Sequence, residues 1–180
     1  MVVKDIIRKA FADIEASGKN IPNPMGEIYM LLEHLSGKDK LFLTLNKDFE
    51  MNEEDFFNLF NKRLNDTPMA YIIGKKHFRD IILKTDERAL IPRFCTEELI
   101  DIVNAFIKPN DSILDMCTGT GAIALAIKEE NPLIHVACSD ISEDALNLAK
   151  ENAKLNKLSI NFILSDLFEN INETYDILIS

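Results

Sequence analysis

Residues 112–127, SILDMCTGTGAIALAI, hold the strongest hint of chemistry in the chain. An apolar run ends in a turn with Gly119 and Gly121, then takes on helical spacing. Glycine has no Cβ, so two of them let a ligand come close to the backbone. The helix that follows presents free N–H groups and the positive end of its dipole, which suits a carboxylate or a phosphate. The G-T-G-A spacing lacks the third glycine of G-x-G-x-x-G, and no G-K-[ST] of a triphosphate loop follows. Taken alone, the turn reads equally well as a tight structural turn.

Two acids shift the balance. Asp140 closes the run IHVACSD and Asp166 closes INFILSD, and both runs read as strands. In doubly wound sheets, ligands bind at the carboxyl ends of the strands. There an acid about 20 residues past the glycine turn accepts hydrogen bonds from ribose hydroxyls. Either acid by itself reads as a loop or cap residue. Together with the turn they describe a nucleoside pocket with a polar tail. No basic residue stands in the turn to meet phosphates, so a tail bearing a carboxylate and an amine fits better. S-adenosylmethionine has such a tail, and Asp115 would sit near its amine. Asp140, as a rim acid, is expected to do little structural work.

The elements that must carry these residues follow from periodicity. From Ser112 onward strand and helix alternate: SILDMC, GAIALAIKEE, IHVACSD, SEDALNLAKENAKLN, INFILSD and finally YDILIS. That order predicts a parallel sheet covered by helices, with Ser142 capping one of them. Upstream, Ile6, Ile7, Ala10, Phe11 and Ile14 mark one face of a helix that stops at Gly18. Ile28, Leu31, Leu32 and Leu35 mark a second helix, and Phe56, Leu59, Phe60 and Leu64 a third. Residues 68–92 read as a linker in which HFRDIILK pairs with the segment before it as a hairpin. TEELIDIVNAFIK reads as a helix with the stripe Leu99, Ile102, Val103 and Phe106.

Composition narrows the class. The 180 residues are 47% apolar, and no run approaches the roughly 18 apolar residues that span a bilayer. The N-terminal stretch mixes charges with apolar residues and is no signal peptide, so the default location is cytoplasmic, away from membranes. A net charge of −10 argues against broad binding to nucleic acid. Cys95, Cys117 and Cys138, and His34, His77 and His135, have neither zinc-site nor redox-pair spacing, so no metal is expected.

The motifs LDMCTGTGAIALAI, CSDISEDALNLAKENAKLN and FILSDLFE resemble the core of class I S-adenosylmethionine-dependent methyltransferases. PMAYIIGKKHFRDIILKTDERALIPRFCTEELI resembles the segment before that core in HemK-type (PrmC) release-factor glutamine methyltransferases. The resemblance runs over nearly the whole chain. It implies an α/β protein in three parts. These are a small helical substrate-binding bundle (1–70), a β-hairpin linker (71–92), and an incomplete class I, Rossmann-like methyltransferase domain (93–180). The implied reaction, part of translation termination, methylates the side-chain amide nitrogen of the glutamine in the Gly-Gly-Gln motif of class 1 peptide chain release factors. S-adenosyl-L-methionine is the implied cofactor. Its implied contacts are Asp115, the turn residues Cys117, Thr118, Gly119, Thr120 and Gly121, Asp140 at the ribose, Asp166 and Leu167 at the adenine, and Arg93 in LIPR.

The chain departs from the family at three places. Phe94-Cys95-Thr96-Glu97 stands where the family has Pro-Glu-Thr-Glu, and Cys117 stands where it has glycine. Asn-Pro-Pro-Tyr, which in the family follows the strand read here as YDILIS, is absent from the 180 residues. No catalytic residue is therefore expected among them. The chain reads as truncated and inactive, with an apolar strand edge open to self-association. Two other readings stand beside this one: a non-catalytic remnant or binding module, and a methyltransferase for adenine amino groups in nucleic acid. The acidic charge and the linker match weigh against the second.

Overall fold

A computed structural model describes all 180 residues, Met1–Ser180. The chain forms two compact units, Met1–Ile73 and Gly74–Ser180. No helix is long and apolar enough to cross a membrane.

The first unit is helical: α1 (Val3–Ser17), α2 (Pro24–Ser36), α3 (Lys40–Leu45), α4 (Glu53–Leu64) and α5 (Met69–Ile73). Its boundaries are written locally. Gly18 and Gly37 take the left-handed conformation that ends α1 and α2. Asn23 accepts from the Gly26 N–H with Pro24 opening the helix, and Asn52 accepts from the Glu54 N–H. Ile6, Ala10, Ile28, Leu31, Leu32, Leu43, Phe56 and Phe60 form the core. Arg63 Nε donates to Glu27 Oε2 at 2.6 Å, tying α4 to α2.

The second unit begins with a hairpin, β1 (Lys75–Phe78) against β2 (Ile81–Lys84). It continues with α6 (Cys95–Asn104), β3 (Ser112–Met116), α7 (Ala122–Glu130), β4 (His135–Asp140), α8 (Glu143–Leu155), β5 (Asn161–Leu164) and β6 (Ile177–Ile179). The last four strands form a parallel sheet in the order β5-β4-β3-β6. Helices α6, α7 and α8 pack with the hairpin in one core built around Ile100, Ile113, Leu125, Ile127, Val136 and Leu146. On the other face Leu114, Met116 and Ala137 meet Ile163, Ile171 and Tyr175.

Three local expectations are corrected. The hairpin is no free linker: Phe78, Ile81 and Leu83 are buried in the second unit's core. Its two strands both lie within KKHFRDIILK, joined by Arg79 and Asp80, while MAYII upstream is helical. Arg79 adopts φ 47, a turn conformation that its side chain does not advertise. The α6 stripe is also shifted. Ile100 and Val103 are buried, whereas Ile102 lies on the exposed side of the helix and Phe106 lies exposed beyond its end at Asn104. Phe94 provides no side-chain cap for this helix.

Candidate functional site

The turn between β3 and α7 is built by three left-handed residues in alternation: Cys117 at φ 60, Gly119 at φ 56 and Gly121 at φ 81. This pleats the backbone sharply enough for Thr118 N–H to reach the Ser139 carbonyl at 3.0 Å. Gly121 N–H then closes on the Thr118 carbonyl at 3.0 Å. The two glycines have different reasons to lack a side chain. A Cβ on Gly121 would meet Ala149 Cβ at 3.1 Å and Leu125 Cδ1 at 3.2 Å, so this buried position lets α7 approach α8. A Cβ on Gly119 would meet only Ala89 Cβ, at an ordinary 3.7 Å. Gly119 is therefore the turn residue with room beside it, and Gly121 is a packing residue.

Cys117 is exposed and, being neither glycine nor asparagine, is strained at φ 60. Cys117→Gly is expected to raise stability by about 0.5–1 kcal/mol. Relief of roughly 1–2 kcal/mol of left-handed strain is partly offset by glycine's larger unfolded-state entropy. A higher urea midpoint at unchanged slope checks it.

Asp115 and Asp140 brace the turn from two sides. Asp115 is 1% exposed. Its Oδ2 accepts from Thr118 Oγ1 at 2.5 Å and from the Ala124 N–H of α7 at 3.2 Å. It points inward as a strut between strand, turn and helix, where the sequence suggested a contact to a ligand amine. Asp140 is half-buried at the end of β4. Its Oδ2 accepts from the Gly119 N–H at 2.9 Å and its Oδ1 from the Ser142 N–H at 3.0 Å. The acid expected to be structurally idle thus orients the open glycine. Thr118 and Thr120 are both buried.

Burial drives the Asp115 carboxyl from its ordinary value of 3.8 to about 6, with bonds from Thr118 and Ala124 opposing and the nearby Asp140 charge adding. The folded state thus holds this proton more tightly than the unfolded chain. The associated stability is complete below about pH 4 and is lost as pH rises through about 6. The gap corresponds to at most about 3 kcal/mol. Asp115→Asn is expected to remove this component, so urea midpoints of variant and wild type should diverge as pH climbs from 4 to 7. Parallel curves would show that Asp115 does not titrate there.

The remaining expected residues sit at varying distances from this centre. Ser165 N–H donates to the Asp140 carbonyl at 3.0 Å, which draws the end of β5 to the end of β4. Asp166 and Leu167 follow on that rim, both exposed, with Leu167 at φ 45. The Arg93 side chain is exposed, and its carbonyl accepts from the Thr96 N–H at 3.1 Å at the start of α6. The residue that reaches the turn from this part of the chain is Ala89. It packs on Ala145 and Leu148 of α8 and faces Gly119. Arg88 holds the same segment to α8 through Glu151, with Nη1 to Oε1 at 2.8 Å. Neither Ala89 nor the buried Asn152, which donates to the Thr120 carbonyl at 2.9 Å, carries any sequence signal of a site role.

Comparison with known proteins matches both units. Residues 5–74 match the PrmC N-terminal domain and residues 95–180 the methyltransferase small domain. A release factor glutamine methyltransferase of Streptococcus pneumoniae is 42% identical over 156 residues, covering 85% of this chain and 56% of that protein. One from Aliivibrio fischeri is 34% identical, covering 99% of this chain and 64% of that protein. The chain thus spans less than two thirds of the length of these relatives. Among solved structures, the M. jannaschii tRNA m1G37 methyltransferase superposes with a TM-score of 0.50 at 25% identity, covering 59% of this chain and 34% of that one. With a PrmC-type helical unit followed by a methyltransferase sheet and its braced glycine turn, the chain belongs to the HemK/PrmC family of release factor glutamine methyltransferases.

Proposed function

We propose that these residues form the N-terminal and cofactor-binding parts of an enzyme that methylates the glutamine of Gly-Gly-Gln in class 1 peptide release factors, using S-adenosylmethionine. The observation that carries this is the Gly119–Asp140 contact at the carboxyl rim of the sheet. A carboxylate has about four acceptor positions, and Asp140 uses one on each oxygen for backbone N–H groups. The others can take two ribose hydroxyls while the Gly119 backbone, free of any Cβ, lies beside the methionine tail. Asp166 and Leu167, on the neighbouring strand end, border the adenine. Asp115 acts through the turn it braces. When bound, the cofactor supplies an electrophilic methyl group. The residues present here bind and orient it, and the helical unit receives the release factor.

Calorimetric titration of the 180-residue protein with S-adenosylhomocysteine tests the cofactor reading. One saturable site is expected, with no heat from adenosine diphosphate, whose phosphates find no cation in the turn. Saturable binding of the diphosphate and none of the homocysteine compound would overturn it.

A further inference from the structure

The two side chains that join α8 to the hairpin solve a backbone problem. Strand β2 has β1 on one side only. On its other edge, Ile82 N–H donates to Asn156 Oδ1 at 3.0 Å, and Asn156 Nδ2 returns a bond to the Ile82 carbonyl at 2.8 Å. Lys84 is held in the same way: its N–H donates to Asn152 Oδ1 at 2.7 Å, and Asn152 Nδ2 donates to its carbonyl at 3.2 Å. Each carboxamide thus takes the place of one residue of a missing antiparallel strand. The spacing makes this workable. Four residues along a helix advance about 6 Å, and two along a strand about 6.8 Å, so an i, i+4 pair can serve an i, i+2 pair.

Asn152 does something that Asn156 does not. Its Nδ2 also donates to the Thr120 carbonyl at 2.9 Å, between the two glycines of the turn. It is fully buried, and both of its N–H donors are used. The network also fixes its orientation, since Lys84 N–H needs an acceptor while the Thr120 and Lys84 carbonyls need donors. One buried amide therefore joins segments that lie 32 and 68 residues away along the chain.

We propose that Asn152 is a positioning residue of the candidate cofactor site: by bonding Thr120 and Lys84 at once, it makes the glycine turn and the hairpin hold their places together. That the turn receives S-adenosylmethionine rests on the function proposed above. The mechanical coupling does not.

Asn156→Ala is the matched control, because it removes the same kind of hairpin clamp and leaves the turn untouched. Hydrogen exchange is measured first, without ligand. Asn152→Ala is expected to speed exchange at least tenfold at Thr118, Gly119 and Gly121 as well as at Lys84. Asn156→Ala should do so at Ile82 and leave the turn amides as in wild type. Titration with S-adenosylhomocysteine then follows. Asn152→Ala should weaken binding tenfold or more and Asn156→Ala less than twofold, although both lower the melting temperature. Equal effects of the two variants on the turn amides or on affinity would overturn the proposal. If Asn152→Ala does not fold, wild type decides: saturating S-adenosylhomocysteine must slow Lys84 exchange, and an unchanged rate refutes the coupling. Should wild type take up no S-adenosylhomocysteine, the cofactor reading fails, while the ligand-free exchange comparison still decides the role of Asn152. For that case Asn152→Asp, which keeps the acceptor for Lys84 N–H, serves as a second variant. It too must loosen the turn amides, and turn exchange at the wild-type rate refutes the proposal.

Discussion

A polypeptide limited to these 180 residues should transfer no label from radioactive S-adenosylmethionine to an unmethylated class 1 release factor. The same residues continued through Asn-Pro-Pro-Tyr into a complete methyltransferase domain should transfer it faster by several orders of magnitude. An amide nitrogen is a poor nucleophile, because its lone pair is delocalised into the carbonyl. The resemblance to the family implies that Asn-Pro-Pro-Tyr orients that nitrogen toward the methyl carbon, and orientation of this kind can contribute roughly 7–11 kcal/mol. The sheet register makes the placement concrete. Ile179 of β6 pairs with Asp115 of β3, so residues continuing from β6 would enter at the rim that holds Gly119 and Asp140. Comparable transfer by the two polypeptides would show that the motif is dispensable and that the chemistry lies elsewhere.

Asp140→Ala should weaken S-adenosylhomocysteine binding by about 3–6 kcal/mol, roughly 10²–10⁴-fold, from two lost hydrogen bonds to a charged group at about 1.5–3 kcal/mol each. The structure adds a second effect. The substitution leaves the N–H groups of Gly119 and Ser142 without their carboxylate partner. Stability should therefore fall as well, by about 1–3 kcal/mol. Asp140→Asn, which keeps acceptor oxygen but no charge, should fall between wild type and alanine in both measurements. Titration and urea unfolding on the same samples separate the two effects. Affinity within twofold of wild type, with stability lowered, would leave Asp140 a structural residue only.

What the sequence determined by itself is the part of the protein governed by short-range pattern. The alternation from Ser112 onward is a change of hydrophobic period, so the parallel sheet and its helices could be read from it. The turn around Gly119 and the rim position of Asp140 follow from where those runs stop. Gly18, Gly37, Asn52 and Ser142 mark helix ends through interactions that reach only two to four residues. The tertiary structure alone decided which side chains stay open at the rim and which face the protein. Asp115 is a buried strut because α7 folds back over β3, a contact made at Ala124. Gly121 is a packing residue because Ala149 of α8 lies against it. The hairpin belongs to the sheet unit because Asn152 and Asn156 complete its open edge from about 70 residues away. None of these leaves a local trace, since a backbone group's need for a partner is the same at every residue and only the fold determines which distant side chain answers it.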